Sequence, residues 1–225
     1  LLKNTVPVEV NAVISNPLTH CTVPDGSVTV ATVQVGGSSL PLTDFSFAWD
    51  GSIPPLTTGT SVLNLSDGEY FVTATKNSST TPYSPAGGCS SPPFKVTVDD
   101  NRRYPVMSFT TLSSTSCDNY FDGQITVTAT TIGQPNSYFF DWVPPVLPDN
   151  NVITDITAAS PAIFSSEAIG GPVDERVGPG TYSIIVTNQS NQCLSNGSVT
   201  LLKNTVPVEV NAVISNPLTH CTVPD

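Results

Sequence analysis

Five cysteines, two histidines and a few adjacent carboxylates are the side chains of this 225-residue sequence with chemistry to offer. Cys21, Cys89, Cys117, Cys193 and Cys221 show no Cys-x-x-Cys pair, the spacing a zinc site uses. Disulfides made in an oxidising compartment suit them better. His20 and its copy His220 stand among so many serines and aspartates that a Ser-His-Asp arrangement is uninformative, and nothing resembles a nucleophile elbow. The neighbouring acids Asp99–Asp100 and Asp174–Glu175 have the residue types of a glycosidase pair. They fall in junction or loop sequence and read as solvated acids. Asp99, Asp100 and Asn101 are weak calcium candidates, because carboxylate and carbonyl oxygens could gather there around a hard cation. Trp49 and Trp142 would stack on a sugar only if exposed. The expectation is a protein with no catalytic site and no obligate cofactor.

These residues recur at fixed places. Residues 1–25 and 201–225 are identical letter for letter, so the chain has a period of 200 residues and spans one period plus the start of the next. It therefore reads as an interior segment of something longer. A weaker repeat divides the period. Cys21, Asp25, Gly26, Phe45, Phe47, Trp49, Gly68, Tyr70 and Cys89 are followed in the same order by Cys117, Asp122, Gly123, Tyr138, Phe140, Trp142, Gly180, Tyr182 and Cys193. The offset drifts, as it does when loops differ in length and strands persist.

The elements that position these residues are strands. Val28 and Val30 alternate with Thr29; Tyr70, Val72 and Ala74 alternate with Thr73 and Thr75; Ile125 and Val127 alternate with Thr126 and Thr128. Period two marks strands with one buried face. The apolar positions then switch to Val33 and Val35, which predicts a β-bulge near Ala31 and Thr32. Asp25–Gly26 and Asp122–Gly123 read as turns, with glycine supplying positive φ. No stretch has helical periodicity. The fold class expected is all-β: tandem immunoglobulin-like antiparallel β-sandwich domains in a head-to-tail rod. Trp49 and Trp142 would plug the cores, and Tyr70 and Tyr182 would form tyrosine corners. Residues 1–5 would end a preceding domain, 6–100 form the first domain, 101–105 a short junction, 105–203 the second domain, and 204–225 the start of the next copy.

Composition excludes several functions. Seven basic residues against 18 acidic ones give a net charge of −11, so no basic patch awaits nucleic acid. No apolar run reaches the ~18 residues that would insert into a membrane.

Two disulfide pairings are open. Cys21–Cys89 with Cys117–Cys193 would close each domain on itself. In an immunoglobulin-like sandwich, however, those loops lie at opposite poles, about one strand length or ~20 Å apart, whereas bridged Cα atoms lie within about 7 Å. Head-to-tail stacking would instead bring Cys21 to Cys193, and Cys117 to the next copy's Cys89.

Cys21, Asp25, Gly26, Trp49, Gly68, Tyr70 and Cys89, repeated as Cys117, Asp122, Gly123, Trp142, Gly180, Tyr182 and Cys193, resemble the SprB-like repeats of giant Bacteroidetes surface adhesins. The resemblance covers nearly the whole chain, twice. It departs from the family at the long loop holding Thr81–Pro85 and at the insertion 144–176. It implies type IX secretion, an extracellular location attached to the outer membrane, and a filament with a role in cell adhesion or gliding motility. Implied partners are neighbouring repeats, outer-membrane anchoring machinery, and a surface polysaccharide or substratum. The alternative is a non-catalytic stalk or carbohydrate-binding module of a secreted polysaccharide-degrading enzyme. Asn64, Asn77, Asn188 and Asn196 begin N-linked acceptor patterns, which are incidental in a bacterial protein.

Overall fold

Strands form where the sequence alternates, and the computed structural model describes them within residues 6–51, 58–78, 87–117, 122–143, 156–165, 177–213 and 215. In chain order they are β1 (Val8–Asn16), β2 (Gly26–Val35), β3 (Ser38–Leu40), β4 (Phe45–Gly51), β5 (Ser61–Leu65), β6 (Gly68–Lys76) and β7 (Phe94–Val98). Then come β8 (Val106–Leu112), β9 (Gln124–Thr130), β10 (Tyr138–Val143), β11 (Ile156–Ala158), β12 (Ala162–Ser165), β13 (Gly180–Asn188) and β14 (Leu194–Leu201). Every strand pairing among them is antiparallel. The described residues contain no α-helix, only a 3-10 turn over Leu42–Asp44.

Four sheets result. In the N-terminal half β2 pairs with β1 on one edge and with β3 and β5 on the other, while β4-β6-β7 forms a second sheet. In the C-terminal half the sheets are β12-β9-β8 and β11-β10-β13-β14. Each pair of sheets encloses its own apolar cluster. The first gathers residues from Val8 to Val98. The second gathers residues from Ile125 to Leu201. The aromatic-x-aromatic-x-tryptophan runs point inward in both halves: Phe45, Phe47 and Trp49 on β4, and Tyr138, Phe140 and Trp142 on β10, are all buried. Large side chains of this kind each stabilise a fold by roughly 1.5–3 kcal/mol when removed from water.

The switch of apolar positions in β2 has a visible cause. Asn11 faces Thr32 and Ala12 faces Val30, which leaves Ala31 without a partner as a bulge. Val28 and Val30 before it, and Val33 and Val35 after it, thereby reach the same buried face.

One expectation needs correction. Gly26 and Gly123 do not serve as positive-φ turn residues; neither is among the glycines with positive φ. They are needed because backbone approaches too closely for a side chain. A Cβ on Gly26 would lie 2.5 Å from the Leu65 carbonyl oxygen and 2.8 Å from Val98 Cγ1, and one on Gly123 would lie 2.5 Å from the Val177 carbonyl oxygen. Within the insertion 144–176, β11 and β12 extend the sheets beside β10 and β9.

Candidate interaction site at the cysteine loops

The connection from β1 to β2 carries Cys21 and is held from both ends. Leu18 forms a parallel bridge with Asp100: its amide donates to the Asp99 carbonyl at 2.9 Å, and its carbonyl accepts from the Asn101 amide at 2.8 Å. The Asp25 carboxylate closes the loop from inside. It accepts the Thr19 amide at 2.8 Å, the Thr19 hydroxyl at 2.5 Å and the His20 amide at 3.2 Å. Partial burial pushes the Asp25 pKa up, but the bonds from Thr19 and His20 outweigh it and hold the carboxyl below its usual range. His20 turns onto its own loop, its Nδ1 accepting the Val23 amide at 3.1 Å.

So held, Cys21 is disulfide-bonded to Cys193, with Cα atoms 4.9 Å apart at a sequence separation of 172. The bond joins the two halves, and the intradomain pairing Cys21–Cys89 with Cys117–Cys193 is not the one formed. Cys193 lies just past the short turn between β13 and β14, which two buried asparagines organise. Asn188 Oδ1 accepts the Ser190 amide at 2.9 Å, and its Nδ2 donates to the Pro135 carbonyl at 3.0 Å. Asn191 Oδ1 accepts the Cys193 amide at 3.1 Å, and its Nδ2 donates to the Arg103 carbonyl at 2.8 Å. The Asn191 carbonyl in turn accepts the Cys21 amide at 2.9 Å. A covalent bond and two hydrogen bonds thus converge on one spot between residues of the two halves and the 101–105 segment.

After β8 the residues before Cys117, together with Asp122, repeat the bonds made around Asp25. Ser114 bridges Lys203 in parallel, accepting the Asn204 amide at 2.8 Å and donating its own amide to the Leu202 carbonyl at 3.1 Å. Asp122 accepts the Thr115 amide at 2.7 Å, the Thr115 hydroxyl at 2.5 Å and the Ser116 amide at 3.2 Å. Those bonds, the Thr115 hydroxyl foremost, hold the Asp122 pKa down to about 2. Here the thiol is free and exposed. Cys89 is free and half-buried against the first core. Its carbonyl accepts the Lys76 amide at 2.9 Å, just as the Cys193 carbonyl accepts the Asn188 amide at 2.9 Å. Cys221 and His220 lie outside the described residues.

The remaining candidates are placed elsewhere or otherwise engaged. Asp100 binds Arg102 with both oxygens: Nη2 donates at 2.7 Å, and Nε donates at 2.9 Å. The Arg102 guanidinium holds the Asp100 pKa near 2. Its carboxylate is thus committed to an arginine, and among the described residues no cluster of three or more His, Cys, Asp or Glu side chains is poised for a metal. Asp174 and Glu175 lie outside the described residues. Trp49 is 1% exposed and donates its indole N–H to the Gly59 carbonyl at 2.9 Å. Trp142 is 4% exposed and meets Tyr182 edge-on, centroids 6.3 Å apart. A stacking role needed exposed rings, and these are core residues. The Tyr70 hydroxyl donates to the Ser66 carbonyl at 2.9 Å and that of Tyr182 to the Gly178 carbonyl at 2.6 Å. Burial pushes the Tyr182 pKa up to about 12. A shallow depression of about 490 Å³ along β13 and β14 is lined by Ser183, Ile184, Ile185, Asn196, Gly197 and Ser198, none of them titratable.

Sequence reasoning missed Asn188 and Asn191. Asn188 begins an N-linked acceptor pattern, yet it is buried as the hub of a turn. The signal that marks the turn is the asparagine-rich run from 188 to 193 itself, ending at a cysteine. No protein-family model and no curated protein matches this sequence.

Proposed function

We propose that this chain is a stretch of a long repetitive stalk or filament, built of immunoglobulin-like sandwiches joined head to tail, on a secreted cell-surface adhesin of the SprB-like kind. Its work is reach and multivalent attachment; no reaction is assigned to it. One observation carries this reading: the disulfide between Cys21 and Cys193 ties one half to the other, while the sequence that opens the first half restarts unchanged at Leu201. A junction that repeats with the sequence can be extended indefinitely without redesigning a core. Weak contacts repeated along such a rod would bind a polysaccharide or a solid substratum by avidity. The net charge of −11 would keep neighbouring rods apart at low salt. Type IX export, outer-membrane anchoring and a part in gliding belong to the same reading.

Chains of one, two and four periods test it by small-angle scattering. The maximum dimension should grow linearly, by roughly 70–90 Å per period, twice the ~35–45 Å that strand rise and loops allow each sandwich. Growth with the cube root of mass would overturn the rod. Beads coated with four periods should hold a polysaccharide-coated surface far more firmly than beads coated with the same mass of single periods; equal retention would overturn the adhesive role. A stalk on a polysaccharide-degrading enzyme shares the rod, and is distinguished by a hydrolase domain encoded in the same polypeptide.

A further inference from the structure

We propose that Cys117 is a cross-linking site for a second copy of the N-terminal half, with Cys89 of that copy as its covalent partner. The inference deepens the head-to-tail reading and rests on it. Two independent observations converge on this residue. The first is internal duplication. Cys117 sits in the same hydrogen-bonded frame as Cys21, with Thr115, Ser116 and Asp122 repeating the bonds that Thr19, His20 and Asp25 make. In the one frame the thiol is already joined to Cys193, just past the β13–β14 turn. In the other it is free and exposed. Cys89 occupies the matching place after β6, its carbonyl accepting the Lys76 amide as that of Cys193 accepts the Asn188 amide.

The second observation is the path of the chain. It leaves the C-terminal half beside Ser114, through the bridge to Lys203, as it leaves the N-terminal half beside Leu18 through the bridge to Asp100. Beyond that second exit, from Asn204 onward, the sequence of the first half begins again. A copy of the first half therefore starts next to the free Cys117 thiol, as the second half starts next to Cys21.

The two junctions would differ in what supports the bond. Two residues before the cysteine, Asn191 is replaced by Gly87, so the amide that reaches Arg103 has no counterpart. After the exit, Thr205 takes the place that Arg102 holds beyond Asp100, so that ion pair is also missing. Within a period the bond has noncovalent support; between periods the disulfide would carry more of the joint. That makes the boundary between periods the redox-sensitive one. In the reaction the two thiols lose two protons and two electrons and form one S–S bond. A disulfide oxidant such as glutathione disulfide takes both and leaves as two thiols.

A two-period chain, residues 1–200 joined to a second copy of 1–225, tests this after oxidation in a glutathione buffer, by alkylation and non-reducing peptide mapping. We expect a peptide joining the first copy's Cys117 to the second copy's Cys89, with loss of alkylation at both. The outer thiols, the first copy's Cys89 and the second copy's Cys117, should still label. Cys117→Ser in the first copy should release the second copy's Cys89 to alkylation while the Cys21–Cys193 peptide persists. Free thiols at the inner pair, or any other pairing of either, would overturn the proposal. Scattering on the same chain separates the failures: a compact particle sinks the rod, whereas an extended particle with free inner thiols sinks only the cross-link.

Discussion

Val206–Val213 repeats Val6–Val13 letter for letter, and the two segments end up in opposite states. Val8 is 2% exposed and Val10 is 7%, whereas Val208 is 86% and Val210 is 85%. The first copy is strand β1, paired with β2 from Val8 to Asn16. The second copy forms no strand. Both carry the same alternation and the same β-branched side chains, so propensity is equal by construction. What differs is the neighbour: residues 27–35 pair with the first copy, and among the described residues no strand pairs with the second. Alternation specifies how a segment would lie in a sheet, and a partner decides whether it does.

The strongest way to break this comparison is to place a charge in each copy. Val10→Asp should destabilise the N-terminal half by about 3 kcal/mol or more, since an unpaired carboxylate would be buried. Val210→Asp should leave the melting temperature unchanged. Equal effects would mean that the second copy is also packed. Hydrogen exchange sharpens the contrast next. Amides of residues 8–13 should exchange roughly a thousandfold or more slowly than those of 208–213, because β1 opens only with its sheet. In a two-period chain the same amides of 208–213 should slow to match, and failure to do so would deny that a neighbour is what they lack.

A smaller effect compares the two cysteine loops with the unpaired copy. Asp25 and Asp122 have folded pKa values below the ordinary ~3.9 of an unfolded aspartate. Their contribution to stability is therefore present above about pH 4, and is lost as pH falls through the folded values, near 2 for Asp122. Asp122→Asn should lower the melting temperature at pH 7 and flatten its dependence between about pH 4 and pH 2. An unchanged acid profile would show that the Thr115 and Ser116 bonds do not form. The smallest effect is expected from calcium. With Asp100 held by Arg102, neither calcium nor a chelator should move the melting temperature, and a calcium-dependent rise would restore the 99–101 site.

Much of the fold is legible in the residue order because the inward positions of a sheet write themselves into the sequence. Val28, Val30, Tyr70, Val72, Ala74, Ile125 and Val127 read as the inner positions of one-sided strands, and all are buried. The bulge is legible as a break in that alternation, and it sits at Ala31. Strands β11 and β12 are not legible, because three or four residues are too short to establish a period, and their partners, β10 and β9, are distant in sequence. Gly26 and Gly123 mislead because a glycine after an aspartate looks the same whether it serves a turn or a close approach of backbone. Only the positions of the Leu65 and Val177 carbonyls distinguish the two. Of the candidate site, the four cysteines of the period are visible in the sequence and their pairing is narrowed there to two alternatives, between which the structure forms Cys21–Cys193.

By itself the sequence determined the period, the all-β character, the alternating buried faces and the repeated order of cysteine, aspartate, tryptophan and tyrosine. These are local or periodic properties, carried by residue type and spacing. The tertiary structure alone decided that Cys21 meets Cys193, that Asn191 reaches the Arg103 carbonyl, and that one copy of an identical segment is a buried strand and the other is not. Each of those depends on which distant backbone lies within a few ångströms, and contact between remote parts of a chain leaves no trace in local residue order.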